Sequence, residues 1–305
     1  MQGAGEQERQ PIPPEPEKQV NKKGQAVGLR WLTALIAMPL VLIFVWFGGW
    51  FSFAATLFVV VLGLRELHGM FTHAGYRPLF WISLGLSTIF LLAAMFPLQR
   101  ALILDIGVAA ALLITFLWLF FRQQLDGSLI DWALTLVIPL YLAWPMSFFL
   151  LMRGYQPGTL QPTSDFWMHL PRGGWWLVAT FLGVWGFDAC AFFSGLYFGR
   201  HKLAPRISPG KTWEGVAGGL ILCIISCLLV TVVPLGVPWY LAIVLGILIS
   251  AAAVIGDLAE SLIKRQAHVK DSGQIMPGHG GMLDRIDSLL FVVIVVYLFS
   301  QFIGK

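Results

Sequence analysis

Long apolar runs recur along this chain and constrain its fold more than any other feature. Each run has 15 to 24 residues and at most one charged side chain. About 20 consecutive apolar residues are enough to cross a bilayer, whereas soluble core helices rarely need such stretches. The nine runs cover residues 31–47, 50–64, 79–96, 101–121, 129–152, 175–198, 216–235, 238–255 and 288–303.

The charge content agrees with a membrane protein. Only 12% of the 305 residues are charged, against about 25% in an ordinary soluble domain. A backbone inside hydrocarbon must satisfy its hydrogen bonds within its own segment, and the runs are too continuous for barrel strands. We therefore expect an all-α, polytopic integral membrane protein of about nine transmembrane helices, in which the second and last runs are the shortest.

Basic residues predict the orientation of these helices. If all nine runs cross the membrane and the N-terminus is cytoplasmic, 16 of the 20 Lys and Arg residues lie on the cytoplasmic side. Only Arg100, Arg153, Arg172 and Lys305 lie on the other side, so the positive-inside rule favours this orientation. We expect a multi-pass protein of the cell inner (plasma) membrane. The net charge of +4 is too small, and too mixed with acids, for a nucleic-acid-binding surface.

Composition divides the chain into three regions. Residues 1–29 are rich in Pro and Gln and hold few large apolar side chains, which predicts a disordered cytoplasmic tail. Residues 30–174 form N-terminal transmembrane helices (spans 1–5), and residues 175–305 form a C-terminal catalytic transmembrane region (spans 6–9). Cys190, Cys223 and Cys227 lie inside apolar runs without a Cys-x-x-Cys pair, so neither a disulfide framework nor a zinc site is indicated.

The polar loop after the sixth run is basic and contains Gly210-Lys211-Thr212. A phosphate loop would need Gly in place of Pro205 and a strand leading in, so that interpretation fails. Residues 208–214 instead predict a turn that caps the next helix. Two interpretations remain open, charge that only sets topology and anion binding. The candidate anion ligands are Ser208, Lys211 and Thr212.

The second polar loop begins at the end of the eighth run with five polar side chains on one helical face. They fall at i, i+3, i+4, i+7 and i+8, so this face does not contact lipid. Its members are Asp257, Glu260, Ser261, Lys264 and Arg265.

Two carboxylates, Asp284 and Asp287, lie at i and i+3 where the last run begins. Like charges this close need a shifted pKa or a cation between them. A hard divalent ion held by oxygen atoms is the simplest solution, and Mg²⁺ is the natural candidate.

Glycines precede these carboxylates in Gly278-His279-Gly280-Gly281. They allow backbone N–H groups to approach an anion and lead into a helix N-terminus near Met282, so Gly278, Gly280 and Gly281 predict a phosphate site. His279 is either a hydrogen-bond donor to phosphate or a general base. Carboxylates, fixed cations and a backbone nest are the parts that phosphoryl or nucleotidyl transfer requires. A solvated salt-bridge loop is the alternative.

Asp188 lies about 10 residues before the cytoplasmic end of the sixth run, or roughly 15 Å deep. A carboxylate at that depth is costly and usually functional. It either lines a polar cavity continuous with the loop site or makes a structural hydrogen bond between helices. An ion-coupled membrane transporter that uses Asp188 is the alternative function.

The two polar loops together resemble one enzyme family. Residues 261–287, from Ser261-Leu262-Ile263-Lys264-Arg265 to Leu283-Asp284-Arg285-Ile286-Asp287, resemble the signature of phosphatidate cytidylyltransferases (CDP-diacylglycerol synthases). Residues 208–215 resemble a second motif of that family, so the similarity covers at least residues 185–288. One departure is Phe192, where the family often has Tyr.

This resemblance implies transfer of a cytidylyl group from CTP to phosphatidate, giving CDP-diacylglycerol and pyrophosphate for phospholipid biosynthesis. CTP and the membrane lipid phosphatidate are the expected partners, Mg²⁺ is the expected cofactor with a monovalent cation such as K⁺ as an option, and a homodimer is left open. The implied metal ligands are Asp257 and Asp284, with Asp287 nearby.

The sequence and the resemblance together give two further groups of candidate site residues. The catalytic group is Lys264, Arg265, Lys270, Asp271, His279 and Asp287. The substrate-binding group is Ser208, Lys211, Thr212, Ser261, Gly278, Gly280, Gly281, Arg285 and Asp188.

Overall fold

A computed structural model describes residue 39 and residues 42–123, 125–154, 169–273 and 280–303. The described part contains eight long helices and one short hairpin. The helices are α1 (Gly49–His73), α2 (Phe80–Met95), α3 (Arg100–Phe120), α4 (Ser128–Gly154), α5 (Arg172–Phe198), α6 (Trp213–Cys227), α7 (Trp239–Gln266) and α8 (Leu283–Ile303).

These helices coincide one for one with the second to ninth apolar runs, which confirms the all-α, polytopic fold. Seven segments of the described chain are long and apolar enough to cross a membrane, and α2 is shorter, with 16 residues. One of the seven is α6 together with the π-helical turn Leu228–Val232 and the last turn Val233–Leu235. Of the first run, only residue 39 and the helical residues 42–47 are described, and the predicted tail lies outside the described residues.

The second and last runs predicted short spans, but α1 has 25 residues and α8 has 21. Both helices continue past the apolar run into polar residues at the same end of the bundle, up to His73 in α1 and from Leu283 in α8. Intrahelical hydrogen bonding does not stop where hydrophobicity stops, so an apolar run sets only a minimum length.

Polar contacts connect helix ends that the predicted alternation places on the same side. At one end, Arg122 pairs with Asp131 at 2.7 Å, and Asp131 also accepts the N–H of Arg77 at 2.6 Å. At the other end, the Arg153 guanidinium donates to the carbonyls of Val45 and Trp46 at 2.5 and 2.8 Å. The up-and-down order of the described helices therefore agrees with the predicted topology.

The hairpin joins α5 to α6. Strand β1 (Lys202–Ala204) pairs antiparallel with β2 (Ser208–Thr212), with Lys202 opposite Thr212 and Ala204 opposite Ser208. The sequence predicted a capping turn for the second of these segments, and the structure shows a strand that ends at the helix cap. The hairpin lies at the same end of the bundle as the start of α8.

Small residues bring the helices of the C-terminal half together. A Cβ atom on Gly218 would lie 2.0 Å from Ser194 Oγ, so α6 packs closely against α5. A Cβ atom on Gly256 of α7 would lie 2.6 Å from the carbonyl oxygen of Asp287 in α8. In lipid, such close backbone approach contributes strongly to helix association, because the hydrophobic effect does not. The contact at Gly256 places Asp257 beside the first turns of α8.

We predict that Gly256→Ala destabilises the protein by about 1–3 kcal/mol, because the added methyl group forces α7 away from the backbone of α8. Gly69→Ala in α1 is the matched control, since a Cβ atom there meets nothing within 4 Å. It should leave stability unchanged or raise it by up to about 1 kcal/mol. Thermal unfolding in detergent measures both, and equal unfolding temperatures would contradict the close contact.

Candidate active site

The β-hairpin and the start of α6 are held together by side chains of the first polar loop. Thr212 is the N-cap of α6, and its hydroxyl accepts the N–H of Gly215 at 3.2 Å. Glu214 accepts the N–H groups of Arg200 and His201 and lies 2.6 Å from His201 Nδ1. The predicted helix cap is therefore confirmed, with Thr212 as the capping residue.

Lys211 reaches from the end of the hairpin to α7, where its ammonium forms an ion pair with Asp257. The turn of the hairpin also touches α7, because Arg265 Nε donates to the carbonyl of Ile207 at 3.3 Å. Ser208 lies in β2, opposite Ala204. The hairpin thus rests on the polar end of α7 and delivers one cation to it.

The polar face predicted on α7 is present. Glu260 is fully buried, and the Ser261 hydroxyl donates to Asp257 Oδ1 at a long 3.4 Å. Lys264 Nζ lies 3.2 Å from Glu260 Oε1 and 2.6 Å from Asp284 Oδ1. This lysine therefore links the end of α7 to the start of α8, whereas Arg265 is exposed at the rim.

Asp284 is the anchor of the loop between these helices. Its Oδ1 takes Lys264, and its Oδ2 accepts the Ser272 N–H at 3.2 Å, the Ser272 hydroxyl at 2.9 Å and the Gly281 N–H at 2.8 Å. Four donors on two oxygen atoms leave little acceptor capacity for a further ligand.

A residue that the sequence did not indicate completes this loop. Glu66 of α1 is only 6% exposed, and its Oε1 accepts the N–H of Met282 at 2.8 Å. Its Oε2 accepts the N–H of Leu283 at 2.8 Å and the Ser272 hydroxyl at 3.0 Å. A carboxylate at a helix N-terminus satisfies free N–H groups and interacts favourably with the helix dipole. Only the position of Glu66 at the end of an apolar run could have drawn attention to it.

Part of the phosphate site predicted at the glycines before α8 is occupied by the chain itself. The N–H groups of Gly281, Met282 and Leu283 donate to carboxylates of the chain itself, so they are not open to a phosphate. Steric space explains why glycine is present at positions 280 and 281. Gly280 has φ +83°, and a Cβ atom on Gly281 would lie 2.1 Å from Ser272 Oγ. They make room for the carboxylates around which the loop folds.

Carboxylates of α5, α7 and α8 lie near enough to one another to interact electrostatically. Asp287 lies within electrostatic range of Asp257 and faces Glu260. Asp188 is exposed on α5 and lies within range of Asp257, Asp287 and Lys211. This placement favours the cavity interpretation of Asp188 over a hydrogen bond between helices.

The predicted metal ligands Asp257 and Asp284 each pair with a different lysine, Lys211 for Asp257 and Lys264 for Asp284. In the described residues, no group of three or more His, Cys, Asp or Glu side chains is arranged to hold a metal ion. Asp287 interacts electrostatically with Asp257 and is therefore the better candidate to share a cation with it.

The other candidate residues lie at the rim or outside the described chain. Lys270, Asp271 and Arg285 are exposed beside the loop. Gly278 and His279 fall on residues that the structure does not describe. Their predicted roles stay predictions.

Comparison with known proteins agrees with the resemblance seen in the two loops. The model of a cytidylyltransferase family matches residues 28–303. The chain belongs to this family. The match extends through the N-terminal helices, where the sequence motifs gave no indication.

Several relatives share most of their length with this chain. A phosphatidate cytidylyltransferase of Synechocystis sp. is 34% identical over 88% of this chain and 95% of its own. One of Pseudomonas aeruginosa is 33% identical over 85% of this chain and 92% of its own. A Haemophilus influenzae protein of the same name is 43% identical over a shorter stretch, 45% of this chain and 49% of its own.

We predict that Lys264→Met destabilises the protein by about 3–5 kcal/mol, because it leaves Glu260 and Asp284 buried without their cation. Lys270→Met is the control, since Lys270 is exposed and should change stability by less than about 0.5 kcal/mol. Thermal unfolding of the two purified variants and the wild-type protein measures these differences in stability. Equal stability would show that water or another group already neutralises the two carboxylates.

Proposed function

We propose that this protein transfers a cytidylyl group from CTP to phosphatidate, a step of phospholipid biosynthesis. A phosphate oxygen of phosphatidate attacks the α-phosphorus of CTP, the bond from that phosphorus to the oxygen bridging to the β-phosphate breaks, and pyrophosphate leaves. The observation that carries this proposal is the set of lysines and carboxylates, Lys211, Lys264, Asp257, Asp287 and Asp188, at one end of an apolar bundle in a chain of this family.

The two substrates explain why the site lies where it does. CTP is highly charged and arrives from water, whereas phosphatidate stays in the bilayer with its phosphate at the surface. A site at the polar end of α5, α7 and α8, with apolar helix faces below it, is accessible to both. Such a reaction depends mostly on positioning and on stabilising negative charge.

Lys211 and Lys264 are the cations best placed for the phosphates. Each is held by a carboxylate, Asp257 and Asp284 respectively, so its ammonium is already oriented. Arg265, Lys270 and Arg285 surround them at the rim. The lysines would bind phosphoryl oxygens in the interior of the site, and the rim cations would attract CTP from solution.

The chemistry of the carboxylates fits Mg²⁺ at Asp257 and Asp287. Asp287 accepts the N–H of Ser288 at 2.6 Å and lies within electrostatic range of Asp257, while Glu260 Oε1 lies 3.2 Å from Lys264 Nζ. A hard cation requires carboxylate oxygens that still have spare lone pairs, and both Asp257 and Asp287 have fewer donors than Asp284. Asp284 fits less well, because four donors occupy its oxygens. When bound, Mg²⁺ would offset the charge that builds up on the phosphoryl oxygens. A monovalent cation such as K⁺ stays a further prediction.

The transporter interpretation has no support. It required Asp188 to act as an isolated ion site, whereas Asp188 lies within range of Lys211 and the carboxylates of α7 and α8. The family match adds no transporter feature. Asp188 is better explained as part of the wall of the same site.

The test of the function is pyrophosphate release by the purified protein from CTP and Mg²⁺, with and without phosphatidate. Release that requires phosphatidate, together with CDP-diacylglycerol in the lipid extract, supports the proposal. Release without phosphatidate, or none in a folded preparation, contradicts it.

In the same assay, we predict that Asp257→Asn and Asp287→Asn raise the Mg²⁺ concentration needed for half-maximal rate and lower turnover about a thousandfold. The loss corresponds to several kcal/mol of transition-state stabilisation. Asp284→Asn should lower turnover without moving the Mg²⁺ requirement. Asp105→Asn, an exposed carboxylate of α3, is the matched control and should be normal. A shift for Asp284→Asn alone would reassign the metal ligand.

We also propose that the protein lies in the cell inner membrane with the site facing the cytoplasm. The support is the positive-inside rule, which favours cytoplasmic exposure of the end rich in Lys and Arg. That end contains the β-hairpin and the polar end of α7, whereas Leu98 lies in the turn at the opposite end.

The orientation can be tested with single cysteines in a variant that lacks Cys190, Cys223 and Cys227. We predict that an impermeant thiol reagent labels Leu98→Cys on intact cells, because that side chain is 95% exposed. Lys202→Cys, in the hairpin, should react only after the cells are opened. The reverse pattern would invert the topology.

A further inference from the structure

Glu66 connects the N-terminal half of the chain to the loop before α8. Its bond with Ser272 spans 206 positions of sequence, and its bond with Leu283 spans 217. The motifs of the family lie in residues 208–215 and 261–287, so α1 contributes to the site from outside them.

Burial makes the charge of Glu66 expensive unless donors surround it. Three donors do so, the N–H groups of Met282 and Leu283 and the hydroxyl of Ser272. An apolar side chain at this position would leave these donors without an acceptor, so the carboxylate stabilises the start of α8. The same contacts also fix Ser272, which links Glu66 to Asp284.

Ser272 lies between Glu66 and Asp284 and contacts both carboxylates. Its hydroxyl lies 3.0 Å from Glu66 Oε2 and 2.9 Å from Asp284 Oδ2. The hydroxyl has a single proton, so it donates to one carboxylate at a time, but both carboxylates lie within hydrogen-bond distance of the same oxygen atom. Asp284 in turn holds Lys264 Nζ at 2.6 Å. A continuous series of hydrogen bonds therefore runs from α1 to the lysine at the end of α7.

Two glycines among the described residues of the loop lie directly against the Glu66 carboxylate. A Cβ atom on Gly273 would lie 2.7 Å from Glu66 Oε1, and one on Gly281 would lie 2.5 Å from Oε2. Gly273 and Gly281 therefore both pack against the Glu66 carboxylate. Any shift of the carboxylate moves Ser272 and the first turn of α8 together.

We propose that Glu66 is a positioning residue for the transfer reaction, which acts through Ser272 and Asp284 to hold the Lys264 ammonium where the phosphates of the substrates bind. This role rests on the proposed function, in which Lys264 binds phosphoryl oxygens. Glu66 itself touches no substrate.

Glu66→Gln tests the role, because it keeps the size of the side chain but brings an NH₂ group to a point where three donors converge. Turnover should fall about 10- to 100-fold, as is typical when a group behind an active-site residue is changed. Glu66→Asp retains the charge and should recover part of the turnover.

A double-mutant cycle separates positioning from general stability. In a Lys264→Gln background, where the amide can still donate to Asp284, Glu66→Gln should lower turnover less than about threefold, because effects that share one residue are not additive. A full 10- to 100-fold loss in that background as well would show that Glu66 does not act through Lys264, and it would overturn the proposal.

Ser52→Ala is the matched control on the same helix. Ser52 is buried at the opposite end of α1 and donates to the carbonyl of Phe44 at 2.6 Å. Its turnover should be near normal, and a loss equal to that of Glu66→Gln would point to general loosening of α1 and contradict the positioning role. If Glu66→Gln does not fold, Ser272→Ala replaces it, since it removes the shared hydroxyl and leaves both carboxylates. It should also lower turnover, and normal turnover would overturn the proposal.

The outcomes distinguish this proposal from the function itself. An inactive, folded wild-type protein contradicts the function. An active wild-type protein with a fully active Glu66→Gln variant contradicts only the positioning role.

Discussion

Neutralisation of buried carboxylates is the constraint on which the polar end of this bundle depends. An unpaired charge away from water is far more costly than a paired one. Glu66 accepts an N–H group at the N-terminus of α8. Asp284 pairs with the ammonium of Lys264, and Asp257 pairs with the ammonium of Lys211. Glu260 shares the Lys264 ammonium with Asp284, and Asp287 accepts the N–H of Ser288. Donors are therefore concentrated on Glu66 and Asp284, which build the site, and are fewer on Asp257 and Asp287, to which we assign the metal.

Close helix packing makes that distribution possible. Gly256 lets α7 approach the backbone of α8, and Gly218 does the same between α6 and α5. Bulkier residues at these two positions would separate the carboxylates of the three helices that form the site. The glycine contacts therefore have two effects. They hold the helices together in lipid, and they set the distances between the charged side chains at the end of the bundle.

The sequence predicted those features that depend on neighbours in the chain. Apolar run length indicated the helices, and the spacing from Asp257 to Arg265 indicated a single polar face on α7. It also indicated a helix cap near Thr212. The hairpin was missed because its strands have only three and five residues, too few for an alternating pattern to stand out.

Contacts between distant segments could not be predicted from local sequence patterns. Nothing near Glu66 in the sequence shows that it meets Leu283, 217 positions away. For the same reason, the glycines before α8 suggested an open phosphate nest, whereas in the described residues the N–H groups of Gly281 and Met282 donate to Asp284 and Glu66. Local spacing shows which N–H groups are free of helix partners, but only the tertiary fold shows which acceptor meets them.

The link between Glu66 and the loop before α8 has a consequence for how such proteins can diverge. The acceptor and its donors lie in opposite halves of the gene, so recombination between two relatives can separate a carboxylate from the backbone groups it satisfies. A chimaera joined anywhere between α1 and Ser272 inherits this pair from two parents. Position 66 and the loop are therefore expected to be exchanged as a unit, and substitutions in one half will be compatible with only some versions of the other.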